Sequence, residues 1–403
     1  MSSALKIKLA SRLEGVSESA TLKMAVLARE LAAQGKKVIN LTTGEPDFPV
    51  LPQIKEAAIA AIHSDFSKYT PVPGIPELRR ALSKKFEKDN SLQYAPEEIV
   101  VSSGAKQAIF NFLLAALDPG DEVIIPAPYW VSYPEMVKLA GGTPVILPTQ
   151  AGQAFKITPA QLRAAITTKT KAFILNSPSN PTGTVYSKAE LQALAKELEG
   201  TSVLVVSDEI YEKLVFEGEF AAFASLSQDA YSRTLTVNGF SKTYAMTGWR
   251  LGYAAGPKPL ISAMSLLQGQ STSGANSITQ RAALAALEAP ESAIKPMIEA
   301  LRRRRDRVSE IFSGSKAVSC VKPAGAFYFF VNIESAIGKQ YNHDQVLAGS
   351  EDLAFYLLES VHVATVPGQG FGADGYLRLS FAVSDSDIEE GARKLVQTIE
   401  TLR

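Results

Sequence analysis

From about residue 97 the chain alternates between two kinds of segment. Apolar runs of strand length, near 99–101, 122–125, 144–147, 171–175, 203–207, 234–237 and 251–254, are separated by stretches of helical spacing near 104–116, 130–140, 188–199 and 258–268. Runs that are apolar at consecutive positions leave no face for water, so the strands they form must be covered on both sides. Alternation with helices then predicts an α/β fold: a mostly parallel, seven-stranded sheet sandwiched by helices. That architecture also predicts where chemistry sits, because open α/β sheets bind ligands outside the carboxyl ends of their strands.

The flanking segments read differently. Residues 21–34 and 76–89 carry helical periodicity, and Pro76 opens the second at a first-turn position. A short apolar run, 38–41, leads into GEPDFP at 44–49, where Asp47 reads as a turn former. A long helical pattern near 290–312 contains the run RRRRDR, expected to be a solvated face. Beyond 315 a few strands and two helices predict a smaller α+β unit, completed by the N-terminal residues. The expected division is 1–48 with the small unit, 49–285 as the large unit and 286–403 as the rest of the small one.

Several function classes lose support. Lys plus Arg and Asp plus Glu each number 41, so nothing suggests nucleic acid or an anionic membrane as partner. The segment 1–16 lacks the apolar core of a signal peptide, no stretch reaches transmembrane length, and the single cysteine, Cys320, suits a cytoplasmic setting. The three histidines, His63, His343 and His362, are far apart in sequence, so neither a His-based metal site nor a Ser-His-Asp triad has much to work with, and no metal is expected.

Four segments carry candidate chemistry, and each has a bland alternative. In 238–253, NGFSKTYAMTGWRLGY, Lys242 follows an apolar strand within a small-residue turn, and Arg250 offers a planar fork for phosphate or carboxylate. A Schiff-base lysine needs such cationic neighbours, which keep its amine neutral; alone, a surface lysine and a structural arginine would be the default. In VLVVSDEIY, Asp208 ends a fully apolar run and, buried there, requires a cationic partner; alone it could be a helix cap. Asn180 in NSPSNPTG follows a strand with a fixed amide donor, or is simply part of a turn. In SSGAKQA, Gly104 at a helix start exposes backbone N–H groups to an anion, as many strand-to-helix turns do. Together they place phosphate donors, a phenolate donor, a pyridinium partner and a Schiff-base lysine along one sheet edge.

With LTTGEPDFP, KYTPVPGIPELR, GAFYFF and YLRLSFAVS, these segments resemble the fold-type I, class I aminotransferases from about residue 12 to the end, and within them the bacterial-type aspartate aminotransferases. The resemblance implies the PLP-transferase fold and pyridoxal 5′-phosphate (PLP) as cofactor. It implies Lys242 as the Schiff-base lysine and proton shuttle, and Asp208 as the pyridinium partner. Tyr211 and Asn180 would bond the 3′ oxygen, and Trp130 would stack on the ring. Arg250, Ser241 and the backbone at Gly104, Ala105 and Lys106 would cradle the phosphate. Tyr69 would reach that phosphate from a neighbouring subunit, giving a homodimer with shared sites. Arg378 would grip the substrate's α-carboxylate, helped by backbone at Gly44.

For the substrate, an amino acid and a 2-oxo acid, Lys106 and Thr21 match the pair that binds a distal carboxylate, while Arg281 does not match the arginine used for that purpose elsewhere in the family. Aspartate with 2-oxoglutarate is therefore expected. Prephenate is the alternative acceptor, but relatives using it carry a lysine where this chain has Ser17, beside Glu18. Broader aromatic or alanine specificity ranks lower. A PLP-dependent lyase would need substituted site residues, and a transcription regulator would need an added N-terminal DNA-binding module.

Overall fold

The computed structural model describes residues 7–18, 20–342 and 345–403; the start of the chain, Ser19, His343 and Asp344 lie outside them. Seven strands form the large sheet: β1 (Ile99–Ser102), β2 (Glu122–Ala127), β3 (Thr143–Pro148), β4 (Thr170–Asn176), β5 (Leu204–Asp208), β6 (Thr234–Gly239) and β7 (Gly252–Ala255), in the order β1-β7-β6-β5-β4-β2-β3. The pairs β3–β2, β2–β4, β4–β5 and β5–β6 are parallel, while β7 is antiparallel to both its neighbours. Six strands thus share one direction and β7 alone is reversed, in keeping with the mostly parallel sheet expected. Strands β1, β5 and β6 are almost wholly buried, so both faces are covered.

The reversal of β7 matters for the site. Asn176 pairs with Asp208 and Asp208 with Val237, while Ser102, Gly239 and Gly252 lie in register across β1, β7 and β6. The carboxyl ends of β4, β5, β6 and β1 and the start of β7 therefore form one edge. Arg250, just before β7, and Lys242, just after β6, are brought to that edge from opposite chain directions. Gly252 makes the packing possible: a Cβ there would run into the backbone of Gly104 and Ala105.

A second, four-stranded sheet contains Tyr328–Asn332 and Tyr376–Ser380, paired antiparallel so that Phe330 faces Arg378. Its core joins residues from the N-terminal helix Ala20–Ala33 (Met24, Ala28) to helices Lys295–Ser313, Ser350–Val361 and Asp385–Thr401. Ile39–Asn40 pairs in parallel with Val363–Ala364, and Ser380 N–H donates to the Leu41 carbonyl at 2.8 Å. Those bonds carry the segment 42–45 towards the edge of the large sheet. No helix among the described residues is long and apolar enough to cross a membrane.

Three features depart from the sequence reading. The arginine run is a solvated face only in part: Arg302, Arg303 and Arg307 are exposed, whereas Arg304 and Arg305 are buried. Leu301, Arg304, Arg305, Val308 and Phe312 share the inward side of helix Lys295–Ser313, at the spacing of a helical stripe. Arg304 bonds both oxygens of Asp47 (2.8 and 3.0 Å) and Asp385 (2.7 Å), and Arg305 meets Glu217, Asp306 and the Pro323 carbonyl. Burial is tolerated because each guanidinium finds carboxylates. Asp47 is accordingly more than a turn former: it ties the 44–49 turn to this helix. Finally, helices Pro52–His63 and Ser277–Glu288 add to the expected elements. The latter starts where the Asn276 side chain accepts from Thr279 N–H at 2.9 Å, which ends the small-residue run before it.

Candidate active site

At that edge lies a cavity of about 420 Å³. Its lining includes Thr21, Gly44, Ala105, Lys106, Trp130, Asn180, Asp208, Tyr211, Ser241, Lys242, Arg250 and Arg378. Nearly every residue singled out from the sequence is thus brought together from eight separate stretches of chain. Gly104 is not itself in the lining, though Ala105 and Lys106 beside it are, and Tyr69 lies apart, 99% exposed and outside the cavity. Arg281 is also elsewhere, near Glu77 (3.6 Å) with its guanidinium over the Phe66 ring.

One end of the cavity suits an anion. Helix Ala105–Ala116 begins after Gly104, whose φ of +89° is in the left-handed region that glycine tolerates. Its first-turn N–H groups lack intrahelical acceptors, so they present positive charge. A Cβ on Gly104 would also meet the Arg250 guanidinium at 2.5 Å, so this glycine is what lets Arg250 lie against the helix start. Arg250 is held by the carbonyls of Thr247 (3.0 Å) and Ser103 (3.3 Å), and Ser241 lines the same cavity.

Asp208, at the end of β5, is 4% exposed. Its Oδ2 accepts from the Tyr133 hydroxyl at 2.7 Å and its Oδ1 from Ile210 N–H at 3.2 Å. Burial raises its pKa, while those two bonds and the charge of Lys242 oppose the rise. Asn176 Nδ2 donates to the Asp208 backbone carbonyl at 2.9 Å, and Asn176 Oδ1 accepts from Asn180 N–H at 2.8 Å. The last residue of β4 therefore locks the end of β5 to the 177–181 turn.

Lys242 Nζ donates to the Gly44 carbonyl. Burial lowers its pKa to about 8; Glu45 opposes this, and Arg378 and Arg250 reinforce it. Arg378 is 2% exposed, donating to the Thr42 carbonyl at 2.6 Å and to Asn180 Oδ1 at 3.1 Å. Because the Asn180 oxygen is engaged, its Nδ2 is left as a donor. Arg378 Nε has no partner among the described residues, and its guanidinium lies over the Tyr328 ring. Tyr328 in turn shares a 2.9 Å hydrogen bond with the Tyr211 hydroxyl.

Lys106 sits at the rim, its Nζ 4.8 Å from the Trp130 ring centroid. Desolvation, then the charge of Arg250, lowers its pKa. Thr21 and Leu22 form the facing wall at the start of helix Ala20–Ala33. The preceding segment is pinned to helix Ser132–Leu139: Ser17 N–H donates to Glu135 and Lys138 Nζ to the Gly15 carbonyl.

Tyr133, Asn176 and Tyr328 went beyond the sequence reading. An aromatic three residues after Trp130 reads as core, and a strand-ending asparagine reads as a turn; only the tertiary pairing shows their contacts. The assembled set can hold a phosphate at the helix start, a protonated heteroaromatic nitrogen at Asp208 and a carboxylate at Arg378. A primary amine of reduced basicity stands in the same cavity. PLP carries the first two of these groups and reacts with the amine, so the donor set fits it.

A family model described as aminotransferase class I and II matches residues 36–395. The chain is 47% identical over 397 residues to the aspartate/prephenate aminotransferase of Nitrosomonas europaea, covering 98% of this chain and 100% of that protein. Its identity to the corresponding protein of Cereibacter sphaeroides is 49% over 389 residues, covering 96% and 97%. The crystal structure of the aspartate aminotransferase from Rhizobium meliloti superposes with a TM-score of 0.95 at 42% identity, covering 99% of this chain and 100% of that one.

Proposed function

The chain belongs to the class I and II aminotransferases, PLP enzymes of fold type I, and on that premise we propose that it exchanges amino groups between aspartate and 2-oxoglutarate by a ping-pong route. The observation that carries the reading is the Lys242 amine, its pKa lowered to about 8, in one cavity with buried Asp208 and buried Arg378.

Bound PLP supplies an electron-withdrawing ring that stabilises negative charge at the substrate Cα. The protein groups hold and move the rest. The helix start at Gly104–Lys106, Ser241 and Arg250 bind the phosphate. Asp208 keeps the ring nitrogen protonated, Trp130 stacks on the ring, and Tyr211 and Asn180 Nδ2 donate to the 3′ oxygen. Arg378, with the backbone at Gly44, takes the α-carboxylate; its unpartnered Nε is the available donor. Lys242, its amine in the same cavity, would take the substrate's Cα proton and hold it for return on the cofactor side of the substrate nitrogen. Burial lowers the Lys242 pKa towards working pH, which favours the neutral amine that a general base requires.

Lys106 and Thr21 receive the distal carboxylate, across the cavity mouth from Arg378. Two chains form a homodimer in which Tyr69, exposed in one chain, completes the partner's phosphate site. The same reading places the enzyme in the cytoplasm and divides the chain at 48 and 285, with the N-terminal segment belonging to the smaller unit.

Prephenate is the second reading, favoured by the names of the relatives from Nitrosomonas and Cereibacter. Against it stands Ser17, backbone-bonded to Glu135 beside Glu18, in place of a lysine. A half-reaction screen tests both: the PLP form is mixed with aspartate, and the resulting amino form is offered 2-oxoglutarate or prephenate. Fast turnover of aspartate with 2-oxoglutarate is expected. Failure of aspartate to convert the cofactor would sink the first reading, and prephenate outpacing 2-oxoglutarate would make it the preferred acceptor.

A further inference from the structure

Asp208 is held from behind by a residue to which neither the family assignment nor the function above gives a role. Tyr133 is 2% exposed on helix Ser132–Leu139, and its hydroxyl lies 2.7 Å from Asp208 Oδ2. No other side-chain or backbone acceptor for that hydroxyl is present among the described residues, so the proton must point at the carboxylate. Its ring meets Trp130 edge-to-face, with centroids 5.3 Å apart and planes at 85°. One side chain therefore touches both the carboxylate and the indole that the proposed function aims at the cofactor ring.

We propose that Tyr133 is a positioning residue that fixes the ionised Asp208 carboxylate and the Trp130 ring as one unit against the cofactor's pyridine. Among the described residues Asp208 has two protein donors, Tyr133 and Ile210 N–H, one for each oxygen. The backbone bond sets where the carboxylate starts; only the tyrosine sets the rotation of Oδ2. Without the hydroxyl, a buried carboxylate keeps one donor and tends to take up a proton, since burial disfavours its charge. A protonated Asp208 cannot keep the ring nitrogen positive. The helix that delivers Tyr133 is also the one that pins Ser17 through Glu135, so this pair lies in a well-anchored element.

The inference rests on the proposed PLP function, and the test separates the two. Tyr133→Phe keeps the ring and its contact with Trp130 but removes the hydroxyl. PLP dissociation constants are measured by spectral titration of apoenzyme, for wild type, Tyr133→Phe, Asp208→Asn and the double variant, alongside apoenzyme melting temperatures. A hydrogen bond to a charged group suggests about a tenfold weaker PLP affinity for Tyr133→Phe. The pH midpoint of the bound-cofactor visible absorbance should also move upward, because a less positive ring withdraws fewer electrons from the lysine linkage. In the Asp208→Asn background the Tyr133→Phe change should add little, since no charge remains to be held. A purely structural tyrosine would lower the melting temperature without moving the midpoint. An unchanged midpoint in Tyr133→Phe, or an equal loss of affinity in the Asp208→Asn background, would overturn the inference. Wild-type protein that fails to bind PLP at all would instead refute the function on which it rests.

Discussion

Replacing Lys106 by alanine isolates the group proposed to choose a dicarboxylic substrate. Two contacts are lost. The first is the ammonium over the Trp130 ring at 4.8 Å; at a site this open to water such a contact is worth about 0.5–1 kcal/mol and serves any substrate. The second is a charge-assisted bond to a distal carboxylate, worth about 1.5–3 kcal/mol and available only to substrates that carry one. The second therefore converts to a ten- to hundredfold loss, roughly, in kcat/KM for aspartate. Alanine loses only the first. The assay is kcat/KM for both amino acids in wild type and Lys106→Ala, and the ratio cancels any damage to the phosphate cradle. A fall of about ten- to a hundredfold in the aspartate-to-alanine ratio is expected. Because the pKa of Lys106 is lowered, the wild-type ratio should also decline at alkaline pH as the ammonium is lost. An unchanged ratio in a variant that still binds PLP would refute the assignment.

Further expectations follow from buried and exposed groups. Glu209 is 1% exposed, its Oε2 has no partner among the described residues, and burial raises its pKa from 4.5 to about 8. The folded protein then keeps a proton that the unfolded chain releases, so this carboxyl's contribution to stability is full below about pH 4.5 and is lost as pH rises to about 8. Glu209→Gln should flatten that decline in thermal denaturation between about pH 5 and 8; a slope equal to wild type would argue against a protonated Glu209. For the shared site, inactive Lys242→Ala and impaired Tyr69→Phe chains are mixed, since one hybrid site of the heterodimer would then be intact. Activity above both parents is expected, and none in verified heterodimers would remove Tyr69 from the partner's site.

Much of this was legible in the sequence for a definite reason. Doubly buried parallel strands need continuous apolar runs, and those runs end where Asn176, Asp208 and Lys242 begin the edge. Direction was harder: nothing local in GWRLGY says that β7 is reversed, yet that reversal is what lets Arg250 meet the helix after Gly104. The arginines at 304 and 305 looked solvated because composition speaks for charge, whereas the i, i+3, i+4 spacing from Leu301 to Phe312 speaks for burial. That spacing was the available signal, and the partners Asp47 and Asp385 lie 257 and 81 residues away. Tyr133 left no comparable mark, because a hydroxyl on an apolar helix face gains its role only from the carboxylate the sheet places opposite it.

The central claim is that Lys242 bonds covalently to PLP and shuttles the proton. Borohydride reduction of the holoenzyme, followed by proteolysis and mass spectrometry, tests it directly. The account predicts the cofactor mass on the peptide containing Lys242 and none after Lys242→Ala, whose amino-transfer rate should fall by several orders of magnitude. Cofactor fixed to any other lysine, or a Lys242→Ala variant that still reduces to a labelled, active protein, would contradict it.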